Sequence, residues 1–324
     1  MGIANFVYTQ YRCLPKPTGS YIGRTVIVTG SNIGLGKEAA RHFAQLGASI
    51  VILAVRSLEK GEAAREEITA STGVSKDVMK VWKLDMASYQ SVLDFAARAE
   101  NELERIDIAL LNAGVFRSSW ETFEQDESTI TVNVISTFLL ALALLPKLKE
   151  TAEKFFVRPN ITMTTSAVHE FASFPERKAP DGQIFQQLNN KAEKPDMAER
   201  YYVSKLLEVL AIRAIAQRRS ADQIPVTINC VCPGYCHSEL ARDLGMGQTI
   251  AKAVIARSAE VGSRNLVWAA SAGPECHGQY VRDCGVGTPS KYVRSTEGQK
   301  DQQRVWDELV VKLEQIKPGV TKNL

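Results

Sequence analysis

Short apolar runs alternate along the chain with longer segments in which apolar residues recur every three or four positions. Such runs are typical of strands buried on both faces of a parallel sheet. The longer segments are typical of helices with one apolar face. The expected strands are Thr25–Thr29, Ser49–Val55, Met79–Leu84, Ile108–Leu111, Val157–Thr165, Val226–Val231 and Gly278–Val281. The expected helices are Leu35–Leu46, Leu58–Ser71, Ser88–Leu103, Ser128–Lys149, Ala198–Arg219, Glu260–Ala272 and Gln302–Ile316. This alternation predicts right-handed βαβ units and an α/β fold, a doubly wound (Rossmann) parallel sheet of about seven strands with helices on both faces.

The pattern favours a single domain with a segment on either side. Residues 1–23 lack clear periodicity and form an N-terminal extension. Residues 24–288 carry the alternation, and residues 289–324 are a polar C-terminal tail with one helix. Two longer intervals of the domain, 167–200 and 235–258, are expected at the mouth of a ligand cleft.

Glycines at positions 30, 34 and 36 lie where the first strand turns into the first helix. The turn needs unusual backbone dihedrals, the chain must approach a pyrophosphate closely, and the helix must pack tightly on the sheet. The N-terminus of the helix then presents unpaired N–H groups to phosphates. The residues expected to bind a dinucleotide here are Gly30, Ser31, Asn32, Ile33, Gly34, Leu35 and Gly36.

The end of the second strand favours NADP(H) over NAD(H). An acidic residue for the ribose 2′-hydroxyl is absent there, and the chain has Ala54-Val55-Arg56 instead. A guanidinium at this point would pair with a 2′-phosphate, and Lys60, one turn further on, could assist. The alternative is that Arg56 is a solvated residue beside the next helix and that Ser57 caps that helix.

Tyr201 and Lys205 are four residues apart on an expected helix and therefore share one face, with Cβ atoms roughly 5–6 Å apart. An ammonium beside a phenol favours the phenolate and lowers its pKa, which moves tyrosine toward the range useful for general acid/base catalysis. Tyr202 lies next to Tyr201 but has Leu206 at the matching position. Tyr-x-x-x-Lys alone also occurs by chance on many helices.

With these motifs the chain resembles the short-chain dehydrogenase/reductase family, of the classical type, from about Thr25 to Tyr280. The resemblance rests on Thr29–Gly36, Leu84-Asp85, Asn112-Ala113-Gly114, Asn133, Ser166, Tyr201-x-x-x-Lys205 and Pro233-Gly234, in that order. Within the family, the chain is most similar to the retinol-dehydrogenase-like branch and to fungal homologues in secondary metabolism.

The resemblance implies a role for each of these positions. Besides the glycine turn, Asp85 is implied to contact the adenine, and Asn112, Ala113 and Gly114 are implied to line the cofactor. Val231, Pro233 and Gly234 would border the nicotinamide, and Ser238 takes the place of a family threonine near its carboxamide. Tyr201 would transfer a proton, Ser166 would hydrogen-bond the same oxygen, and Lys205 would also hold the ribose. Asn133 would anchor a water that relays protons. The implied reaction is hydride transfer between the nicotinamide and a carbonyl or alcohol of a small molecule.

Some of these assignments have alternatives. Asp85 could instead cap the helix that begins near Ser88, and Thr164 and Thr165 compete with Ser166 as hydroxyl donors. A non-redox isomerase or cyclase on the same fold, or a protein that only senses NADP(H), would keep parts of the pattern. The complete catalytic set argues against a sensor, which has no need of it.

Apolar side chains in the two longer intervals favour a bulky, largely apolar substrate. They are Phe171, Phe174 and Phe185 in the first, and Tyr235, Leu240, Leu244, Met246 and Ile250 in the second. The alternative is that they pack over the sheet.

Composition and charge exclude several partner classes. The chain is 45% hydrophobic and 23% charged, near the globular average, so a sizeable core is expected. Its net charge is +3 with basic residues spread out, so no nucleic-acid partner is expected. The longest strongly apolar run, Thr137 to Pro146, is about half of the roughly 20 residues that cross a bilayer, so no integral membrane segment is expected. No secretory leader is evident, which favours a cytoplasmic protein; a homo-oligomer is compatible with these features.

Six cysteines raise the alternative of a metal site. Cys230-x-Cys232 and Cys236-His237 could supply ligands, but no second ligand pair has zinc-like spacing. We therefore expect reduced, mostly buried thiols and no metal.

Overall fold

The computed structural model of the chain describes residues 10–237 and 256–324. The strands are β1 (Thr25–Thr29), β2 (Ile50–Val55), β3 (Met79–Lys83), β4 (Ile108–Leu111), β5 (Thr122–Phe123), β6 (Asp126–Glu127), β7 (Asn160–Thr164), β8 (Thr227–Cys232), β9 (Tyr280–Arg282) and β10 (Gly285–Val286). The helices are α1 (Gly34–Gln45), α2 (Leu58–Thr72), α3 (Tyr89–Glu102), α4 (Ser128–Phe155), α5 (Ile184–Leu188), α6 (Met197–Arg218), α7 (Ala259–Ala270), α8 (Lys291–Arg294) and α9 (Thr296–Ile316).

The main sheet has eight strands in the order β10-β9-β8-β7-β4-β1-β2-β3. Seven of them run parallel, and only the two-residue β10 is antiparallel to its neighbour. The expected doubly wound α/β fold is confirmed. Because β1 lies between β2 and β4, the strand order reverses there and opens a crevice beyond the carboxyl ends of β1 and β4.

Helices cover both faces of the sheet and divide the core in two. On one face, Phe43 of α1, Ile68 of α2 and Leu266 of α7 belong to one buried cluster. On the other, residues of α3, α4, α6 and α9 form a larger one. Strand residues alternate between the two clusters, so that Val26 and Val28 face one and Ile27 the other. This is the reason why the strands read as continuous apolar runs.

The C-terminal tail is part of the folded domain. The rings of Trp306 in α9 and Phe138 in α4 lie 6.2 Å apart, edge to face. Arg304 of the same helix donates to the main-chain oxygens of Arg177 at 2.7 Å and Ala179 at 2.6 Å. The tail therefore holds the interval after β7 in place.

That interval contains regular structure. It contains three short 3₁₀ turns and one helix, which are Ala167–Glu170, Pro175–Lys178, Lys191–Glu193 and α5. Glu308 of α9 accepts a hydrogen bond from the main-chain N–H of Phe185 at 3.0 Å.

Helix α4 is six residues longer than predicted and contains Pro146. A proline inside a helix leaves the carbonyl four residues earlier without its N–H partner. Here that carbonyl belongs to Leu142, and the side-chain amide of Asn323 donates to it at 2.9 Å. The last residues of the chain thus compensate for the proline.

Within the described residues, α4 is the one helix long and apolar enough to cross a membrane. Its most apolar stretch is 94% buried inside the protein. Such burial is typical of a core helix of a globular domain.

Candidate active site

The glycine turn leads from β1 into α1 and leaves the start of that helix accessible. Gly30 and Gly34 have φ angles of +65° and +60°, which residues with a side chain rarely adopt. A Cβ on Gly36 would lie 2.6 Å from the Gly30 carbonyl oxygen and from Nδ2 of Asn112, so only glycine allows this close approach. Ile33 precedes the helix without a side-chain cap, and the first turn has no acidic residue. The helix N-terminus therefore fits an anionic phosphate.

The end of β4 forms the facing wall. Thr29 Oγ1 accepts hydrogen bonds from the main-chain N–H groups of Asn112 and Ala113, both at 2.9 Å. The Asn112 amide also donates to the Thr29 carbonyl oxygen at 3.1 Å. A Cβ on Gly30 would come within 3.0 Å of the Ala113 Cα, so the two strand ends are in close contact. The predicted Asn112, Ala113 and Gly114 all line the resulting cleft.

Cations gather at the end of β2. Arg56 and Lys60 are exposed and line the cleft. Lys83 adds a third cation, since its ammonium donates to the Arg56 main-chain oxygen at 2.6 Å. Ser57 caps α2 by accepting from the Lys60 N–H at 3.3 Å. The cap and an exposed Arg56 thus coexist, so the cap does not argue against a phosphate-binding Arg56.

Asp85 lies in the cleft just after β3. One of its carboxylate oxygens accepts from the Ala87 N–H at 3.1 Å. The cap of α3 is Ser88, whose hydroxyl accepts from the Ser91 N–H. The carboxylate of Asp85 is only partly buried and remains available to a ligand in the cleft.

Three of the four expected catalytic side chains, those of Ser166, Tyr201 and Lys205, line the same cleft, which has a volume of about 920 Å³. Ser166 follows β7, and Tyr201 and Lys205 lie one turn apart on α6. Phe116, after β4, packs edge-on against the Tyr201 ring with centroids 5.0 Å apart. Tyr202 also lines the cleft, so Tyr201 is distinguished from it by its lysine rather than by exposure.

Lys205 has a partner that the sequence argument did not include. Its ammonium donates to the Thr164 carbonyl oxygen at 2.9 Å and to Oε1 of Glu208 at 2.8 Å. Lys205 and Glu208 are both buried, three residues apart on α6. The ammonium lies 5.7 Å from the centre of the Tyr201 ring.

The expectation that Lys205 lowers the pKa of Tyr201 is wrong for this structure. Burial and, next, the carboxylate of Glu208 raise the pKa of the phenol above its usual value. The i, i+4 spacing does bring the ammonium near the ring, and the same ammonium donates to Glu208.

Asn133 lies in a π-helical turn of α4, Thr131–Ser136, and is fully buried. Its Oδ1 accepts from the Val115 N–H at 2.8 Å. Its amide hydrogens go to the Val115 oxygen and the Ser204 hydroxyl, both at 3.0 Å. Because both donors are used, this side chain can hold a water only as an acceptor.

His169 connects the tail to Ser166. Its Nε2 accepts from the Ser290 N–H at 3.1 Å, so Nδ1 carries the hydrogen and donates to the Ser166 carbonyl oxygen at 2.7 Å. Burial lowers the pKa of the imidazole, which keeps this tautomer neutral. The Ser166 hydroxyl accepts from the Val168 N–H at 3.3 Å. Sequence reasoning had no signal for His169, because Ser290 is 121 residues away.

The expected substrate walls are partly wrong. Phe174 and Phe185 are buried in the core under α9, and Phe171 points to solvent, so none of them lines the cleft. They pack as they do because the tail covers the interval after β7. The larger apolar side chains that do line the cleft include Met86, Val115, Phe116, Phe123, Val132, Val168, Tyr202 and Tyr235. Leu240, Leu244, Met246 and Ile250 lie outside the described residues.

Of the remaining predicted cofactor residues, some line the cleft and others do not. Asn32, Ile33, Gly34, Leu35, Pro233 and Gly234 line the cleft. Ser31 is buried and its hydroxyl donates to the Val28 oxygen at 2.8 Å, while Gly36 and Val231 lie behind the lining. Ser238 lies outside the described residues. Gln10 of the N-terminal extension accepts from the Tyr235 N–H at 3.1 Å and so supports the loop after Pro233.

The cysteines do not form a metal centre in the part of the chain that the structure describes, where no three His, Cys, Asp or Glu residues cluster suitably. All six thiols are unpaired. Burial raises the pKa of Cys236, which borders the cleft, to about 12. That thiol is therefore not a nucleophile at neutral pH.

Comparison with known proteins points to one family. The sequence model of the short chain dehydrogenase family matches residues 24–173. The chain is 54% identical to the short chain dehydrogenase/reductase dmxR8 of a Cryptosporiopsis species, over 98% of this chain and 99% of that protein. It is 40% identical to the short-chain dehydrogenase anuD of Penicillium roqueforti, over 99% of this chain and 85% of that protein.

Solved structures show the same fold. A protein from Mycobacterium paratuberculosis has a TM-score of 0.68 at 25% identity and covers 94% of this chain and 95% of its own. A chain from Escherichia coli described as a short chain dehydrogenase complexed with NADPH has a TM-score of 0.60 at 23% identity, over 82% of this chain and 99% of its own.

Proposed function

This chain belongs to the short-chain dehydrogenase/reductase family, and from that premise we propose that it is an NADP(H)-dependent oxidoreductase acting on a bulky, largely apolar carbonyl compound or alcohol. Proteins of this family use nicotinamide cofactors. One observation carries the proposal. Ser166, Tyr201 and Lys205 line a single cleft that continues to the glycine turn and to the uncapped N-terminus of α1.

The side chains have separate tasks in this proposal. When bound, the nicotinamide supplies a hydride to the carbonyl carbon in reduction and accepts one in oxidation. Tyr201 gives its phenolic proton to the oxygen in reduction and takes one back in oxidation. Ser166 donates a hydrogen bond to that oxygen and fixes its position. Lys205 holds the ribose, and Asn133 connects the segment after β4 to the turn of α6 that carries Tyr201.

The nature of the cleft walls supports the substrate class. The rings of Phe116 and Tyr202 lie 5.0 and 6.5 Å from that of Tyr201, and Phe123 and Tyr235 line the same cleft. Aromatic side chains favour large apolar ligands. Resemblance to fungal homologues of secondary metabolism supports an intermediate of such a pathway. We further propose that the protein acts in the cytoplasm, which agrees with its unpaired cysteines.

The direct test follows the absorbance of NADPH with a panel of bulky ketones and aldehydes, and of NADP with the matching alcohols. We expect oxidation of NADPH to accompany carbonyl reduction in equal amounts. A converted substrate with unchanged nicotinamide would contradict the proposal and indicate a non-redox reaction on this fold.

Arg56→Asp should erase or reverse a preference for NADP over NAD. The wild type has three cations near the end of β2, which are Arg56, Lys60 of α2 and Lys83 of β3. A carboxylate there would repel the 2′-phosphate. Both cofactors are titrated in one buffer. Arg65→Asp is the matched control, because Arg65 lies on α2 but does not line the cleft. A wild type that prefers NAD by tenfold, about 1.4 kcal/mol, would show that this role of Arg56 is wrong.

Ser166→Ala should lose roughly 10²–10³-fold in kcat/KM at every pH, as expected for a lost donor to the reacting oxygen, with NADP affinity retained. Thr164→Val is the control, since the Thr164 hydroxyl donates to Asn112 at 3.4 Å rather than into the reaction. It should lose far less. Full activity in Ser166→Ala would exclude Ser166 from the chemistry.

A further inference from the structure

The main chain around Ser166 is attached to the protein on both sides of that residue. On the side toward the sheet, the Thr165 N–H donates to the Val231 oxygen at 2.9 Å, and the Thr165 hydroxyl donates to the Lys205 oxygen at 3.0 Å. On the other side, His169 donates to the Ser166 carbonyl oxygen through Nδ1 at 2.7 Å and through its main-chain N–H at 3.3 Å. The direction of the Ser166 side chain therefore depends on both attachments.

The Ser166 hydroxyl is set by the 3₁₀ turn that follows it, Ala167–Glu170. Its Oγ accepts from the Val168 N–H at 3.3 Å, and Ser166 lines the cleft. No described group accepts the hydroxyl hydrogen, which is therefore left for a ligand. Since a hydrogen bond weakens steeply as its angle departs from linearity, a shift of this turn would weaken the bond to that ligand.

His169 extends the second attachment to the C-terminal tail. Its ring is 1% exposed and packs edge to face against Tyr280 of β9, with centroids 5.0 Å apart. After β10 the main chain passes beside the same ring. There the Gly287 N–H donates to the Tyr280 oxygen at 2.7 Å, and the Ser290 N–H donates to His169 Nε2 at 3.1 Å. The ring is thus held between a strand of the sheet and the first residues of the tail.

The tail determines which nitrogen of the His169 ring carries the hydrogen. A neutral imidazole has one donor and one acceptor. Because the Ser290 N–H requires an acceptor at Nε2, the hydrogen lies on Nδ1 and points at the Ser166 oxygen. The other tautomer would place an N–H against an N–H and a lone pair against a carbonyl oxygen. One contact with the tail therefore fixes the contact with Ser166.

Building on the proposed function, we propose that His169 is a positioning residue through which the C-terminal tail holds the Ser166 hydroxyl on the reacting oxygen. The Ser290 N–H selects the tautomer, the Nδ1–H holds the Ser166 carbonyl group, and the fixed turn aims the hydroxyl. His169 itself does not touch the substrate, since it is buried and does not line the cleft. Its effect on the rate is exerted through Ser166.

Two amide substitutions separate the two ends of the ring. The nitrogen of an asparagine side chain takes about the place of Nδ1, so His169→Asn keeps a donor to the Ser166 oxygen. Glutamine is longer, so His169→Gln keeps an acceptor for the Ser290 N–H and loses the donor to Ser166. We expect kcat to fall about tenfold in His169→Gln, the equivalent of one hydrogen bond, and to stay within about threefold of the wild type in His169→Asn. Equal losses in the two variants would overturn the proposal.

The loss in His169→Gln should appear in kcat rather than in binding. A hydrogen bond to the reacting oxygen counts most in the transition state. The KM for the carbonyl compound and the dissociation constant of NADP should therefore change little. A loss that lies only in these two constants, with kcat retained, would contradict the proposal.

His277→Gln is the matched control. His277 is also a buried imidazole between two main-chain groups, accepting from the Ile228 N–H at 3.2 Å and donating to the Arg219 oxygen at 2.9 Å. It lies at the amino end of β8, whereas the cleft is at the carboxyl ends of the strands. We expect this variant to lower stability and to leave kcat unchanged. The same loss of kcat as in His169→Gln would mean that any buried imidazole has this effect, and would overturn the proposal.

A double-variant cycle tests whether the effect passes through the hydroxyl. With Ser166→Ala in place there is no hydroxyl to aim, so adding His169→Gln should cost no further activity. Two losses that multiply would indicate a general disturbance of the site and contradict the proposal.

Ser290→Pro and Ser290→Ala test the tail without changing the ring. Ser290 has a φ of −51°, which proline accepts, and of the two variants only Ser290→Pro lacks the N–H that His169 accepts. Both lose the hydroxyl that caps α8. We expect kcat to be about fivefold or more lower in Ser290→Pro than in Ser290→Ala. Equal kcat values would exclude the tail from the positioning of Ser166.

NMR of nitrogen-labelled histidine reads the tautomer without any turnover. The chain has four histidines, and the signal of His169 is the one missing in His169→Asn. We expect the hydrogen on Nδ1 in the wild type and in Ser290→Ala, and a mixture of tautomers in Ser290→Pro. A hydrogen on Nε2 in the wild type would overturn the proposal.

The failure of the proposed function and that of the role of His169 give different results. A wild type that transfers no hydride to any carbonyl compound would reject the proposed function, and the catalytic role of His169 with it. A wild type that does transfer hydride, with full kcat retained in His169→Gln, would reject the role of His169 alone.

Discussion

Tyr201→Phe is expected to abolish measurable turnover while NADP(H) still binds nearly as in the wild type. The substitution removes only the transferable proton and keeps the ring that Phe116 packs against. Loss of a positioned general acid typically costs about 10²–10⁴-fold. Steady-state kinetics measures the loss, and a cofactor titration measures the dissociation constant.

Tyr202→Phe is the matched control. Tyr202 lines the same cleft, with its ring centroid 6.5 Å from that of Tyr201. The residue four positions after Tyr202 is Leu206, so Tyr202 has no cation on the same helix face to assist a proton transfer. We expect a mild effect, and equal losses in the two variants would mean that Tyr201 is not the proton donor.

Much of the fold followed from hydrophobic patterning, because a doubly wound sheet buries its strands on both faces. The expected strand at Thr25–Thr29 is β1 to the residue. The carboxyl ends of parallel strands meet at one edge, so residues distant in sequence, such as Asn112 and Ser166, could be assigned to one cleft. For the same reason the glycine turn could be placed against the end of β4.

Other features depend on contacts that no local pattern shows. Phe174 and Phe185 read as pocket residues because they are aromatic and lie in a long interval. The structure buries them because α9, more than 100 positions away, covers that interval. Glu308 of α9 accepts a hydrogen bond from the Phe185 N–H. The expected helix Ser128–Lys149 likewise ends six residues before α4 does, and Asn323, far along the chain, donates to the Leu142 carbonyl that Pro146 leaves unpaired.

The charges of the site were only partly predictable from the sequence. Glu208 stands three residues after Lys205 in the sequence, and that spacing alone would allow a surface ion pair worth little. Burial on α6 makes the pair matter, since the same carboxylate then acts on both Lys205 and Tyr201. The sequence predicts the proximity of tyrosine and lysine, and only the structure shows which charge prevails.

Lys205→Met is expected to remove activity and weaken cofactor binding, and it should also destabilise the protein, which a surface lysine would not do. The substitution leaves the Glu208 carboxylate buried without its cation. Breaking a buried pair on one side typically costs about 3–5 kcal/mol. Chemical denaturation of wild type and variant measures the difference.

The pH dependence of that loss identifies its cause. The folded-state pKa of Glu208, about 7, already lies above its ordinary value, so the stability tied to its neutral form is present at low pH and lost as pH rises through the folded pKa. Removing Lys205 takes away the main influence that opposes this rise. The deficit of Lys205→Met should therefore be small in acid and should grow as pH increases through 7.

A double variant, Lys205→Met with Glu208→Gln, separates fold from function. It contains no buried charge at this site, and replacing a buried pair by neutral groups of similar volume is often neutral for stability. We expect it to regain most of the stability, to lose the pH dependence of the deficit and to remain inactive. A double variant as unstable as Lys205→Met would mean that the lysine stabilises the fold through Thr164 alone, and that Glu208 does not depend on it.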